Sequence, residues 1–261
     1  CIYDIFNLNE DKSLLTKIES KHPKLYELCE INLGLTPYDK AKGHKPNQIK
    51  NRVFHANSPL NSTFKPLLSG SDIRRYNVKW SGDSYISYGP WLGAARDPVF
   101  FTSPRVLVRQ IVSGNPPRIY AAFTAEELYN SQIAFNIISK SNDTNFLKYL
   151  LALLNSKLIN YYHGHKFLDL SKRLFQKILI QNCKLFPICA INTPTVQTIF
   201  SEIVSLVDRL ISIEISNHKL SEDQVRLLTQ IEYLESKIDQ LVYQLYNLTE
   251  EEIQIIEEST G

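Results

Sequence analysis

Apolar residues recur at two different spacings along the chain, and the spacing changes near residue 140. From Leu25 to Lys140, short runs such as RVLVRQIV and QIAFNIIS are separated by Pro, Gly, Asn and Ser. That pattern is typical of β-strands joined by turns. The later stretch NFLKYLLALLNSKLINYYHG instead places apolar residues at steps of three and four and ends at Gly164, which predicts a helix.

The last part of the chain, residues 194–261, has a helical pattern throughout. Two apolar series predict two helices with one apolar stripe each: Ile199, Ile203, Leu206, Leu210 and Ile213, then Ile231, Leu234, Ile238, Leu241 and Leu245. The polar stretch SNHKLSED between them predicts a turn that folds the second helix back on the first. Thr249 and Glu252 have the spacing of a capping box, which predicts a short final helix.

These patterns predict an α+β fold, in which a mixed, curved β-sheet domain is followed by a C-terminal antiparallel helical hairpin. We expect residues 1–24 to be a linker from an upstream domain, because the chain begins with Cys1 rather than Met. Residues 25–193 then form the sheet domain, and residues 194–261 form a helical spacer or docking hairpin with an acidic tail.

The net charge of +2 conceals two parts of opposite sign. Residues 1–193 contain 25 Lys and Arg against 14 Asp and Glu, whereas residues 194–261 contain 4 against 13. A basic body joined to an acidic tail indicates a polyanionic partner for the body alone. Basic residues interleaved with aromatic ones, as in SGSDIRRYNVKW, indicate that this partner is a nucleic acid.

Several other classes of protein are disfavoured by the composition. No apolar run reaches membrane-spanning length and the first residues lack a signal-peptide pattern, so we expect a cytoplasmic protein with no membrane partner. The four cysteines show no Cys-x-x-Cys spacing, which favours buried thiols over zinc ligands or disulfides.

One tetrad, Asn115-Pro116-Pro117-Arg118, resembles the Asn-Pro-Pro-Tyr catalytic loop of adenine methyltransferases. Arg118 cannot supply the aromatic face that stacks on a flipped base, and no glycine-rich cofactor loop precedes the tetrad. Because SGNPPR lies between two strand-like runs, we interpret it as a turn. His163 and His165 lack further metal ligands at a suitable spacing. The sequence therefore predicts no catalytic site, no metal site and no cofactor in this chain.

Charge and chain position single out the candidate DNA contacts. Arg can form paired hydrogen bonds with guanine, Gln or Asn can do so with adenine, and Lys neutralises phosphate. The candidates are Lys42, Lys45, Arg74, Arg75, Arg96, Arg105, Arg109, Gln110, Arg118, His163, His165, Lys166, Lys172 and Arg173. For each arginine, an ordinary surface ion pair is an equally good interpretation.

Three local expectations accompany these candidates. Arg105 and Arg109 lie four residues apart and therefore share one face of a strand, where either would read a base edge. The stretch Thr36–Arg52 is rich in lysine and is expected to be an exposed basic loop, whose Lys42 and Lys45 would contact phosphates. Trp80 and Trp91 are expected in the core.

Five segments in this order resemble a known family: FKPLLSGSDIRRYNVKW (64–80), PRVLVRQI (104–111), YLLALLNSKLINYYH (149–163), KLFPI (184–188) and IDQLVYQLYNLTEEEIQIIE (238–257). Together they resemble the C-terminal target-recognition region of type IIG restriction-modification enzymes and TaqI-like adenine methyltransferases. The chain is similar, more distantly, to one half of a type I specificity subunit. It departs from the family at Cys189, where a second proline is common, and in its long basic stretch.

The resemblance implies that the chain reads a short double-stranded DNA sequence and presents it to an adenine-specific methyltransferase domain N-terminal to it. That domain would carry S-adenosylmethionine, and a nuclease using Mg²⁺ could lie further upstream. The alternative is a protein-interaction module whose helical hairpin docks a partner subunit. A self-sufficient enzyme is a third hypothesis, which depends only on the tetrad and the histidine pair.

Overall fold

The computed structural model describes residues 12–112, 114, 116–168, 176–213 and 222–260. The helices are α1 (12–19), α2 (Leu25–Leu28), α3 (Pro46–Lys50), α4 (Val99–Thr102), α5 (Thr144–Asn155), α6 (Lys157–Phe167), α7 (Ile180–Cys183), α8 (Pro194–Ser212), α9 (Glu222–Leu245) and α10 (Glu250–Thr260). The strands are β1 (Cys29–Leu33), β2 (His55–Ala56), β3 (Phe64–Leu68), β4 (Tyr85–Ser87), β5 (Arg105–Arg109), β6 (Ala121–Thr124), β7 (Tyr129–Asn130) and β8 (Ala134–Ser139).

The first sheet is antiparallel, with the strand order β1-β8-β5-β6. Both of its faces are covered. Val106 and Val108 belong to the main core with the helices, whereas Leu107 belongs to a smaller core on the opposite face. The continuous apolar run Val-Leu-Val of β5 is the signature of a strand that is buried on both sides.

The second sheet has the order β2-β4-β3-β7 and is mixed, because β3 pairs antiparallel with β4 and parallel with β7. Its own small core includes Leu67, Ile86 and Phe101. The chain passes from this sheet to the first between β7 and β8, where the Asn130 side-chain amide donates to the carbonyls of Ser131 and Ala134 at 3.0 Å each. The predicted α+β class is confirmed, and the expected curved sheet is divided into two four-stranded sheets.

The C-terminal helices form the predicted hairpin and pack on the sheet domain. Helix α8 packs against α5 and α9, and α10 packs against α6. The predicted apolar seam of α9 faces inward, with Leu234 fully buried and Leu241 only 8% exposed. The predicted capping box is present, because the Thr249 amide donates to Glu252 at 2.8 Å and the Glu252 amide donates to the Thr249 hydroxyl at 3.3 Å. Most of the turn predicted at SNHKLSED lies outside the described residues.

Ion pairs attach the acidic C-terminal helices to the basic body. Arg75 pairs with Glu235 at 2.8 Å and Lys148 with Asp208 at 2.6 Å. Two further pairs of the same kind join Lys17 to Glu252 and Lys157 to Glu257. Part of the positive charge of the body is therefore matched within the chain. In the part of the chain that the structure describes, no helix is long and apolar enough to cross a membrane.

Candidate nucleic-acid interface

A cleft of about 470 Å³ lies where the chain crosses between the two sheets. Its polar wall is formed by Thr36, Arg109, Gln110, Gln132 and Lys177. These residues come from four separate stretches of sequence, and Leu35, Ile111 and Ile133 supply apolar surface beside them.

The backbone that carries the polar wall is held by hydrogen bonds. The Arg109 amide donates to the Tyr120 carbonyl at 2.9 Å, and the Gln110 amide donates to the Ile133 carbonyl at 2.9 Å. The Gln110 carbonyl accepts from the Ile178 amide at 2.8 Å, which places Lys177 opposite Ile111. A site on paired backbone is preorganised, so binding orders few additional groups.

The side chains of the cleft can recognise base edges. The Arg109 guanidinium lies 5.0 Å from the centre of the Tyr120 ring and is partly exposed. The Gln132 side-chain amide donates through Nε2 to the Thr36 hydroxyl at 2.8 Å. Both Gln132 and Lys177 are exposed. Guanidinium and carboxamide groups present the paired donors and acceptors that distinguish guanine and adenine in the major groove.

The lysine-rich stretch Thr36–Arg52 continues from the cleft and is folded, in contrast to the loop expected from the sequence. It contains a 3₁₀-helix at Lys40–Lys42 and the short helix α3. The Tyr38 ring stacks on the Phe54 ring with 5.1 Å between ring centres, and the Tyr38 hydroxyl accepts from the Phe54 backbone amide at 3.0 Å. The same hydroxyl lies 3.0 Å from Nδ1 of His55, where it can donate because burial lowers the pKa of His55 to about 4 and keeps the ring neutral.

Exposed cations line this folded stretch. Lys42 and Lys45 are exposed as predicted, and so are their neighbours Lys40, Lys50 and Arg52. Among the described residues these five cations have no ion-pair partner. The stretch therefore presents positive charge that no ion pair among the described residues matches, which suits contact with phosphates.

Arg105 is a correction to the sequence interpretation. It shares a strand face with Arg109, as expected, but that face is covered at this end of β5 and the residue is 0% exposed. Its guanidinium donates to the carbonyls of Ser103 and Glu126 at 3.0 Å each and to that of Leu128 at 2.6 Å. Arg105 thus fastens the segment before β7 and cannot reach a base or a phosphate in this fold.

Two candidates, Arg75 and Arg118, lie against the C-terminal helices. Arg75 donates through Nε and Nη2 to Glu235 and also to the carbonyl of Asn155 at 3.1 Å. Arg118 donates to the Thr260 carbonyl at 2.8 Å. Both side chains hold the helices to the sheet domain. Their assignment as DNA contacts remains a prediction without support from the geometry.

The cluster on α6 is only partly turned inward, because His163 is buried whereas Lys166 is exposed. His163 is 2% exposed and packs near Phe167 and Phe186, and burial lowers its pKa to about 4, so its assignment as a DNA contact is corrected. The His165 ring lies 4.1 Å from that of Tyr161, and Lys166 pairs with Glu19 of α1 at 2.7 Å. The cluster therefore lies where α1 packs on the body.

The remaining candidates are scattered. Arg96 is half-buried and its Nε lies 3.5 Å from the Gly34 carbonyl, whereas Arg74 lies beside Lys79 in a second cleft. Lys172, Arg173 and Asn115 of the tetrad lie outside the described residues. The structure therefore brings Arg109 and Gln110 together in the cleft, and Lys42 and Lys45 are exposed on the stretch that leads away from it. Sequence reasoning missed Gln132, Thr36 and Lys177, because only the crossing between the sheets assembles them.

Two solved restriction-modification enzymes are similar in structure to different degrees. The type IIL enzyme MmeI, solved in complex with DNA, matches with a TM-score of 0.55 and 13% identity over 92% of this chain and 36% of that chain. The type IIG restriction endonuclease BpuSI matches with a TM-score of 0.47 and 9% identity over 92% of this chain and 33% of that chain. The chain thus spans about a third of the length of each enzyme. No curated protein sequence matches the chain.

The family comparison identifies the class of one domain in this chain. Residues 65–188, which run from within β3 to beyond α7, match the family model of the TaqI-like C-terminal specificity domain. The chain therefore contains a target-recognition domain of restriction-modification enzymes. Residues 65–188 are a TaqI-like specificity domain, and the resemblance inferred from the five sequence segments is confirmed.

Proposed function

We propose that this chain reads a short double-stranded DNA sequence through the cleft between its two sheets. Arg109, Gln110 and Gln132 contact base edges, and the lysines of Thr36–Arg52 contact phosphates. The observation that carries the proposal is the position of a guanidinium and two carboxamides in one cleft with the exposed Lys177. Base contacts of this kind supply specificity, whereas phosphate contacts supply sequence-independent affinity.

The bound DNA is positioned for an adenine-specific methyltransferase domain that is N-terminal to this chain in the same protein. Support comes from the specificity-domain match and from the similar fold within MmeI, a restriction-modification enzyme of which this chain spans about a third. S-adenosylmethionine, and Mg²⁺ if a nuclease accompanies it, would be bound by those other domains. Within the described residues, no cluster of three or more His, Cys, Asp or Glu side chains is suited to hold a metal ion.

The alternative function, docking of a partner subunit through the helical hairpin, has less support. Its central residues, Leu234 and Leu241, pack into the main core of this chain and are not available to a partner. The hairpin also lies on the body through the Arg75–Glu235 ion pair. The geometry therefore favours a bracing role for these helices.

A titration of the 261-residue chain with fluorescently labelled duplex DNA tests the proposal. We expect an anisotropy increase whose binding constant falls linearly with salt on a double-logarithmic plot, because phosphate binding releases counterions. A variant with Arg226, an exposed arginine of α9, changed to alanine controls for the loss of any one positive charge. Absence of salt-dependent binding to duplex DNA would show that the proposal is wrong.

A further inference from the structure

Trp91 is a large aromatic residue that the fold holds in place at the surface. The residue is 40% exposed, and its indole Nε1 donates to the Ser87 carbonyl at 3.0 Å. Its six-membered ring lies so close to Gly89 that a Cβ at that position would be 2.4 Å from Trp91 Cη2. The expectation that Trp91 lies in the core is therefore wrong, and its ring is immobilised with substantial apolar area in water.

His44 joins the Trp91 loop to the lysine-rich stretch. The Asp39 amide donates to His44 Nδ1 at 2.8 Å, so the proton of the neutral ring is on Nε2, which donates to the Trp91 carbonyl at 2.8 Å. Gly93 permits this approach, since a Cβ there would lie 2.9 Å from the Cβ of Asp39. The two segments consequently form one folded unit.

This folded unit carries exposed cations and an exposed aromatic ring, and both kinds of group can bind nucleic acid. Lys42 and Lys45 flank His44 in the sequence and are exposed. A fixed aromatic ring in the same folded unit as such cations can pack on a deoxyribose or the edge of a base while the cations bind phosphates. Fixing the ring in advance removes the entropy that a mobile side chain would lose on binding.

We propose that Trp91 contacts duplex DNA directly, and that His44 is a positioning residue that holds the lysine-rich stretch against it. This inference rests on the proposed function and adds a second contact with the same DNA, outside the cleft. Trp91 contributes affinity for DNA of every sequence, whereas discrimination between sequences remains with the cleft. The proposal places DNA along a surface that extends from Arg109 to Trp91.

Tryptophan fluorescence gives a direct test, because the chain contains only Trp80 and Trp91. The Trp80→Phe variant keeps an aromatic ring edge-on to Tyr85 and leaves Trp91 as the sole reporter. We expect saturating duplex DNA to reduce acrylamide quenching of Trp91 by about twofold or more, as burial of half of its exposed surface requires. The Trp91→Phe variant, which retains Trp80 alone, should show no such protection.

Affinity measurements complete the test. Trp91→Ala should weaken binding to all duplexes by about fivefold or more, as truncation of a contacting aromatic side chain at an interface does, and Trp91→Phe should recover most of that loss. His44→Ala should weaken binding and reduce the salt dependence, although every lysine is retained. Urea unfolding verifies that each variant is folded.

The possible outcomes separate the two proposals. If labelled DNA does not bind at all, the proposed function fails. If DNA binds but Trp91 stays equally accessible and Trp91→Ala binds normally, the contact by Trp91 is refuted and the proposed function stands. If His44→Ala leaves both the salt dependence and the protection of Trp91 unchanged, its positioning role is refuted.

Discussion

Arg105 and Arg109 lie on the same face of one strand, and we predict that replacing each with alanine has a different consequence. Arg105→Ala should lower the free energy of unfolding without altering which DNA sequence is preferred. Arg109→Ala should leave the fold intact and weaken discrimination at one base pair. The pair is a matched test, because residue type, strand and face are the same and only burial differs.

The magnitude for Arg105 follows from its three hydrogen bonds to backbone carbonyls. Hydrogen bonds from a charged group contribute about 1.5–3 kcal/mol each. The bond to Leu128 is fully buried, whereas those to Ser103 and Glu126 are partly buried. Burial of the guanidinium, which lowers the pKa of Arg105 to about 10, opposes folding by about 3 kcal/mol, and this cost disappears in the variant. The net loss expected for Arg105→Ala is therefore about 2–5 kcal/mol.

For Arg109→Ala, the expected loss of folding free energy is small, and the expected loss of binding free energy for the preferred base pair is larger. Its visible intramolecular contact is with the Tyr120 ring, and a partly exposed cation–π contact is worth about 0.5–1 kcal/mol. Loss of a paired contact to a base costs about 1–3 kcal/mol against that base pair alone.

Urea unfolding and competition binding with duplexes that differ at single positions measure the two effects. The reasoning would be refuted if Arg105→Ala unfolded like the unmodified chain and shifted base preference. It would equally be refuted if Arg109→Ala weakened binding to every sequence alike, since that result would identify a phosphate contact.

Three further predictions concern phosphates, pH and the hairpin. Lys42→Ala and Lys45→Ala should each weaken binding to all duplexes alike and reduce the slope of the salt dependence by about one, in titrations at several salt concentrations; a change in base preference would contradict this. Burial raises the pKa of Asp239 from 3.8 to about 7. Between pH 3.8 and about pH 7 the folded chain therefore retains a proton that the unfolded chain loses, and the free energy of unfolding falls as the pH rises. Asp239→Asn keeps the side-chain oxygen that accepts from the Lys157 amide at 2.9 Å. In urea unfolding the variant should be more stable than the unmodified chain by on the order of 2 kcal/mol at pH 8 and by little near pH 4. Equal effects at the two pH values would contradict the account. Leu234→Asp should unfold the chain rather than release a partner, as circular dichroism and light scattering would show; a folded monomer formed from a wild-type oligomer would restore the docking hypothesis.

The helices and strands could be predicted because buried apolar residues recur along each element with the period of that element's own geometry. The inward seam of α9 follows the steps of three and four residues that include Leu234 and Leu241. The capping box of Thr249 and Glu252 is a short-range signal and appears as expected. Division of the strands into two sheets depends on which strands pair, and no local pattern around β7 and β8 specifies that.

The candidate site was only partly predictable, since charge alone does not reveal whether a cation is exposed. Arg105 and Arg109 differ only in what covers them, although the apolar run between them was a signal that β5 is buried on both faces. Arg75 contributed to the positive charge of the body, yet Glu235 of the acidic tail neutralises it. Gln132 and Lys177 join the cleft through contacts distant in sequence, which composition and spacing cannot show.

Selection of bound sequences from a pool of random duplexes tests the central claim most directly. We predict that the unmodified chain enriches one short sequence, and that Arg109→Ala or Gln110→Ala loses the preference at a single position while the others persist. Gln240→Ala, at an exposed glutamine of α9, should enrich the original sequence. Enrichment of no sequence, or an unchanged preference in both cleft variants, would contradict the claim that this cleft reads DNA.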